Sequence, residues 1–312
     1  MKKQLFFITG AAAVVMGARE LFDIGMCRSC NKLSLAPLVH LDKEQKALNI
    51  ALDKEKSAIE SWKKRVYHES WHIRRSNGAI LYAKAYMLSG CHKWAVVTHG
   101  YGGDGSLMLY AAKRFYEKGY NVLLPDLRAH GKSTGKYIGW GWLDKGDILD
   151  WCSCIKKRDK KAKTVLYGVS MGGAAVLMAA GEKKPDGVRC VVSDCAYTSL
   201  RDILYYRIRR MLHLPPAAVM LWLKPLCQRE AGLSIDDASV IEQVKKCSLP
   251  VMFCHGDRDR FVPTDSALEL YAAAKVPKKL MLVHGAGHGI SAFTGGENYW
   301  KRVFDFTEKF ER

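Results

Sequence analysis

"KTVLYGVSMGGAAVLMAAGE", Lys163 to Glu182, decides how the chain is read. Its first half is a short apolar, β-branched run of the kind that makes a strand buried on both faces. Its second half is rich in Ala, Leu and Met, which favour helix. Between them stands Gly168-Val169-Ser170-Met171-Gly172, with glycine on either side of a serine. A strand turning sharply into a helix strains the residue at the corner, and flanking glycines relieve the crowding while the hydroxyl projects from the sheet edge. The same glycines would also suit tight packing with no chemistry, so the rest of the chain has to discriminate.

Similar runs lie on both sides: "WAVVTH" (Trp94–His99), "YNVLLPD" (Tyr120–Asp126), "VRCVVSDC" (Val188–Cys195), "LPVMFCH" (Leu249–His255) and "KLMLVHG" (Lys279–Gly285). Helical patterns are expected at Ser106–Lys118, Trp142–Lys157, Met171–Glu182, Thr264–Ala274 and Glu297–Lys309. Apolar runs alternating with helices describe an α/β fold, a mostly parallel central sheet flanked by helices. Ahead of it, Val66–Arg75 and Ala79–Leu88 around Ser76-Asn77-Gly78 read as a hairpin. Between Asp194 and Leu249 the next strand is delayed by a Leu-, Met-, Tyr- and Arg-rich stretch broken at Pro215-Pro216. It is expected to form a small helical cap, about residues 197–247, inserted after the sixth strand. No internal repeat or low-complexity tract is visible.

The first 33 residues read differently. Two lysines precede an apolar run from Leu5 to Ala18, then come Arg19 and Glu20. That is a targeting or anchoring pattern. The run falls short of the roughly 20 residues of a straight bilayer crossing, although Leu21, Phe22, Ile24 and Met26 extend it. A membrane anchor is favoured over a cleaved signal because Met16 is bulky for a cleavage site, and a buried soluble helix is the third option. Lys2 and Lys3 favour an extracytoplasmic body, with Arg19, Arg28 and Lys32 opposing. Residues 34–65 carry Leu41, Leu48, Leu52, Ile59 and Trp62 at helical spacing, an amphipathic linker helix leading into a body at 66–312.

With 312 residues, 48% of them hydrophobic, the chain has ample core and is no disordered chain. The formal net charge of +18 is spread along the chain without base-stacking aromatics, so it reads as solvated surface, with an anionic membrane surface as partner rather than nucleic acid. Of ten cysteines, Cys91, Cys190, Cys195 and Cys254 lie in or beside strand-like runs as small buried hydrophobes, so mostly free thiols are expected. Cys27 and Cys30 have C-x-x-C spacing, but no second pair completes a zinc site.

A serine nucleophile needs a base, and the base an orienting carboxylate. "HGDRDRFVP" follows the Leu249–His255 run and offers Asp257 and Asp259; "GAGHG" follows the last run and offers His288. The order serine, aspartate, histidine, each after a strand, suits nucleophilic catalysis, whereas either aspartate alone would be an ordinary turn residue. "HGYGG", His99 to Gly103, follows the first parallel run; the N–H of Tyr101 and that of Met171 are the expected oxyanion donors. His99 is expected to brace its loop.

Taken as a set, "HGYGG", "DLRAHGKS", "GVSMGG", "HGDRDRFVP" and "GAGHG" resemble the α/β-hydrolase superfamily from about Val66 to the C-terminus. More narrowly the chain is similar to bacterial membrane-anchored serine hydrolases related to the serine aminopeptidase and prolyl oligopeptidase-like groups. The resemblance implies an α/β-hydrolase fold and a triad of Ser170, Asp259 and His288. It departs from the family in "DLRAHGKS", where Ala129 replaces a glycine; Asp126 and Arg128 there are expected to form a structural charge network. The implied chemistry is hydrolysis of a carboxylic ester or amide through an acyl-enzyme, on a lipid-like or peptide substrate, with no cofactor or metal. A tethered non-catalytic binding module and an acyltransferase are the alternatives.

Overall fold

The computed structural model describes residues 15–28, 43–75, 78–182, 185–212 and 215–311. Eight strands form one sheet in the order β1-β2-β4-β3-β5-β6-β7-β8. β1 (His68–Arg74) and β2 (Ile80–Tyr86) are the expected hairpin, antiparallel to each other and joined to the rest through an antiparallel β2–β4 pairing. The other six run parallel: β3 (Lys93–Thr98), β4 (Asn121–Pro125), β5 (Lys163–Val169), β6 (Val188–Asp194), β7 (Val251–Gly256) and β8 (Lys278–Val283).

Strand alternation splits the core into two layers. Trp94, Val96, Leu166, Val191 and Phe253 face the side covered by the helices Asp144–Arg158 and Met171–Glu182. Ala95, Val97, Tyr167, Val192 and Met252 face the side covered by Leu109–Glu117 and the last helix, Ser291–Phe310. Because β3 and β5 to β8 are parallel, their C-terminal ends open on one edge. The turns carrying His99, Ser170, Cys195, Asp259 and His288 all follow there.

Expected helices are found with shifted ends. The segment expected to be helical from Ser106 begins as a 3-10 turn, Gly105–Met108, because Asp104 accepts from the Ser106 N–H at 2.8 Å and caps it. The last helix starts earlier than expected, at Ser291, and kinks at Gly296, whose φ of 52° places it outside helical geometry. The cap after β6 contains Leu200–Arg207, Pro216–Leu226 and Val240–Lys246. Its Ile203, Val219, Met220, Leu223 and Val244 are buried in the main core.

Two N-terminal pieces join the body. The linker helix, Lys43–Lys63, buries Ile59 and Trp62, and the Trp62 ring meets that of Tyr86 at 4.9 Å. Residues 15–26 are helical and bury Ala18, Phe22 and Met26 in the core shared with the cap. Ile138 N–H donates to the Met26 carbonyl at 2.8 Å, and Arg28 N–H to that of Lys136 at 3.0 Å. The described part of the segment expected to anchor the chain is thus packed against the body. Residues 1–14, which hold most of the apolar run, lie outside the described residues, as do Cys30 and Lys32. Among the described residues no helix is long and apolar enough to cross a membrane.

Candidate active site

Ser170 sits between β5 and the helix Met171–Glu182 with φ of 57°, left-handed for a residue that carries a side chain. The neighbouring chain holds it there: its N–H donates to the Asp194 carbonyl at the end of β6, at 2.8 Å. The glycines are dictated by contact. A Cβ at Gly168 would lie 2.3 Å from the Gly172 carbonyl oxygen, and one at Gly172 2.5 Å from the carbonyl oxygens of Thr98 and His99. The turn therefore folds back on itself and against β3 more closely than any larger residue permits.

His288 Nε2 lies 2.8 Å from Ser170 Oγ, and His288 Nδ1 lies 2.7 Å from Asp259 Oδ2. Three residues spread over 118 positions of sequence thus stand in a line of hydrogen bonds. Asp259 is oriented from behind, since its Oδ1 accepts from the N–H groups of Phe261 and Val262, both at 2.8 Å. His255 Nε2 approaches its Oδ2 at 3.2 Å. Burial alone would raise the Asp259 carboxyl, but His288 and His255 outweigh it and hold it below the usual carboxylate range. Burial alone would likewise lower the His288 imidazolium; the Asp259 charge prevails and raises it well above the ordinary histidine value. The Phe261 ring stacks on His288 at 4.7 Å, and the Arg207 guanidinium from the cap lies 3.7 Å above that ring.

Asp257, the other aspartate of the loop, is turned away. It binds His284 Nδ1 and the Gly285 N–H, both at 2.7 Å, which pins the turn after β8. Neither of its oxygens is bonded to His288.

The "HGYGG" loop lies against the serine, where a Cβ on Gly100 would meet Ser170 Cβ at 3.4 Å. Met171 is the first residue of its helix, so its N–H has no intrahelical acceptor. Tyr101 stacks on Trp140 at 5.2 Å, and its hydroxyl donates to the Ile24 carbonyl at 2.5 Å. His99 braces, as expected: Nδ1 donates to the Gly100 carbonyl at 2.7 Å and Nε2 accepts from the Leu127 N–H at 2.9 Å. Burial pushes its pKa down to about 3, so it stays neutral and keeps that pattern. His130 makes a second brace, accepting from the Gly102 N–H at 3.2 Å.

Asp126 accepts from the N–H groups of Gly105 and Lys132, and Arg128 grips Asp147 with two bonds of 2.7 and 2.8 Å. Ala129 takes the left-handed φ of 59° that a glycine would adopt freely. The loop keeps its path at a strain of about 1–2 kcal/mol.

Sequence reasoning missed Cys195. It is wholly buried, as expected, yet its φ is 47° and its thiol interacts with the His288 imidazole. The available signal was its place directly after β6, at the same sheet edge as the other loop residues. Among the described residues no cysteine is joined in a disulfide.

The model of a family described as serine aminopeptidase, S33, matches residues 91–240. An uncharacterized Bacillus subtilis protein, YqkD, is 28% identical over 214 residues, covering 68% of this chain and 70% of its own. Protein bem46 of Schizosaccharomyces pombe is 26% identical over 217 residues, covering 67% and 64%. Among solved structures, the Pyrococcus furiosus esterase Pf2001 superposes with a TM-score of 0.66 at 24% identity, over 79% of this chain and 94% of that one. Together these likenesses support a hydrolase.

Proposed function

The chain is a member of the α/β-hydrolase superfamily, and from that premise we propose that it is a serine hydrolase cleaving carboxylic esters or amides. The observation that carries this reading is the unbroken line Ser170 Oγ, His288 Nε2, His288 Nδ1, Asp259 Oδ2, with links of 2.8 and 2.7 Å. In the proposed reaction Ser170 attacks the carbonyl carbon while His288 takes its proton, and Asp259 fixes the tautomer and balances the imidazolium. The N–H groups of Tyr101 and Met171 receive the charge that develops on the carbonyl oxygen. His288 then returns its proton to the leaving group, and water, deprotonated by His288, releases the acyl group from Ser170.

Lipid-like esters are the preferred substrate class. The cap presents Leu221 and Trp222 to solvent, 71% and 49% exposed, the chain is strongly basic, and the apolar run begins at Leu5, ahead of the docked residues 15–28. We place the protein at a membrane surface through that run, with the body on the extracytoplasmic side; retention of the full chain in alkali-washed membranes, open to externally added protease, is the expected result.

The deciding experiment is labelling of the full chain with a fluorescent fluorophosphonate beside its Ser170→Ala variant. Residues 15–28 are built into the body, so the protein must be tested with them present. Label on the parent alone is expected. A folded parent that takes no label overturns the reading in favour of a non-catalytic module, and product analysis with added alcohols separates hydrolysis from acyl transfer.

A further inference from the structure

Four loops at the sheet edge bring Ser170, Cys195, Asp259 and His288 together, and the proposed reaction uses three of them. Cys195 has no part in it, yet it stands closest in character to the nucleophile. Both residues follow a parallel strand, and both are held left-handed, at φ of 57° and 47°. Holding a side-chain-bearing residue there is strained. The surroundings sustain that strain through the bond from the Cys195 N–H to the Cys254 carbonyl, 2.9 Å.

The strain sets the thiol where three different donors converge. Cys195 Sγ, an imidazole nitrogen of His288 and a carboxylate oxygen of Asp259 all lie within 4.8 Å of one another. Among the described residues no other three histidine, cysteine or acidic side chains meet in this way. A sulfur, a nitrogen and an oxygen form the donor set of zinc and its softer relatives, with a fourth position left to solvent. Tetrahedral binding at about 2.0–2.3 Å needs donors roughly 3.5 Å apart, so small side-chain rotations suffice. The His288 side chain is 15% exposed, which gives an ion entry from the substrate side.

Resting on the serine-hydrolase reading, we propose that Cys195, His288 and Asp259 form an inhibitory site for a thiophilic divalent cation such as zinc or cadmium. Binding releases the thiol proton to solvent and fills an imidazole lone pair. If the ion takes Nε2, the link to Ser170 is lost. If it takes Nδ1, that nitrogen also gives up its proton and the link to Asp259 is lost. With Nε2 bound, His288 has no lone pair left for the serine proton; with Nδ1 bound, it keeps one but loses the carboxylate that orients it and balances its charge, so the rate falls in both cases. Magnesium and calcium prefer all-oxygen shells and are expected to do nothing.

The test titrates the full-length protein with zinc and cadmium chlorides during hydrolysis of a short p-nitrophenyl ester, beside Cys195→Ser. The parent should lose at least nine-tenths of its rate and recover it on adding a chelator. Cys195→Ser should keep metal-free activity and need at least a tenfold higher ion concentration for half-inhibition. Equal sensitivity of the two places the inhibition elsewhere and overturns the site.

A second readout does not depend on turnover. On Ser170→Ala, cadmium should raise a saturable thiolate charge-transfer band of one equivalent, lost when Cys195→Ser is added and equally when His288→Ala is added. The histidine variant covers the case in which the serine variant does not fold. A band indifferent to both changes overturns the proposal. A parent with no esterase activity that still shows the band upholds the ion site while removing the hydrolase reading.

Discussion

The indole N–H of Trp140 donates to the Gly25 carbonyl at 2.9 Å, linking the N-terminal helical segment to the loop ahead of the Asp144–Arg158 helix. Trp140 also stacks on Tyr101, whose own hydroxyl reaches the Ile24 carbonyl one residue earlier. Residues 15–28 therefore hold the His99–Gly103 loop by the Tyr101 side chain. Phe22 in the same segment, whose ring meets that of Tyr137 at 5.6 Å, has no exposed surface. Phe22→Ala should lower stability by about 3–5 kcal/mol through lost transfer energy and the cavity left behind. Denaturant unfolding of the two proteins would measure it, and a change under about 1 kcal/mol would show that the segment is not packed in solution.

Asp259 and Asp257 stand two residues apart and differ in their partners. Ser170→Ala or His288→Ala should each remove on the order of 10⁶ of the rate, with Asp259→Asn losing less, as expected of residues acting as a unit. Asp257→Asn should leave kcat within a few-fold, because its partners are His284 and Gly285 rather than His288. Steady-state kinetics on an activated ester decides it; the reverse ranking of the two aspartates would exchange their roles.

The pH profile carries the sign of the His288 shift. A general base acts when neutral, so activity should climb as pH rises through its pKa. Asp259 stabilises the charged imidazole, and burial pushes the Cys195 thiol up to about 11, which leaves it uncharged near neutrality. The acid limb of kcat/KM should therefore lie above the ordinary histidine value of about 6.5. In Asp259→Asn the residual activity should show that limb displaced downward, and an unmoved limb would detach the aspartate from the base.

Gly168→Ala tests the turn itself. Its new methyl would lie 2.3 Å from the Gly172 carbonyl oxygen and 2.6 Å from Thr98 Oγ1, both fixed by backbone or buried structure. Overpacking of this kind costs about 1–3 kcal/mol or more. Ser170 should be displaced with it, so kcat should fall further than stability does.

Arg128→Met should act on stability first. Asp147 is 2% exposed and loses its two-pronged partner, although Arg75 Nη1 remains 2.7 Å from its Oδ1. A cost near the lower end of about 3–5 kcal/mol for breaking a buried pair is expected. Unfolding at neutral pH measures it, with the rate per folded molecule little changed.

Sequence alone determined the alternation of strand and helix, the order of serine, aspartate and histidine, and the need for glycine around Ser170. Each is a local property: a period of apolar residues, a turn residue, a spacing. The same reasoning read His99 as a brace, since a histidine ahead of glycines has backbone groups to bind. It left Asp257 and Asp259 open, and only resemblance chose between them. It also took Cys195 for a small hydrophobe, and for the N-terminal apolar stretch it favoured a membrane anchor over a cleaved signal or a buried soluble helix.

Tertiary structure decided the neighbours of Asp257, Asp259, Cys195 and the described residues 15–28, because each depends on groups distant in sequence. Which aspartate faces His288 is set by how the turn after β7 packs on the turn after β8, where a Cβ at Gly256 would lie 2.2 Å from the Ala286 carbonyl oxygen. The position of Cys195 follows from its bond to Cys254 on the next strand, and the docking of Phe22 from a pocket assembled by the cap and the body. Hydrophobic patterning says that a residue leaves water; only the assembled sheet edge says which neighbours it meets.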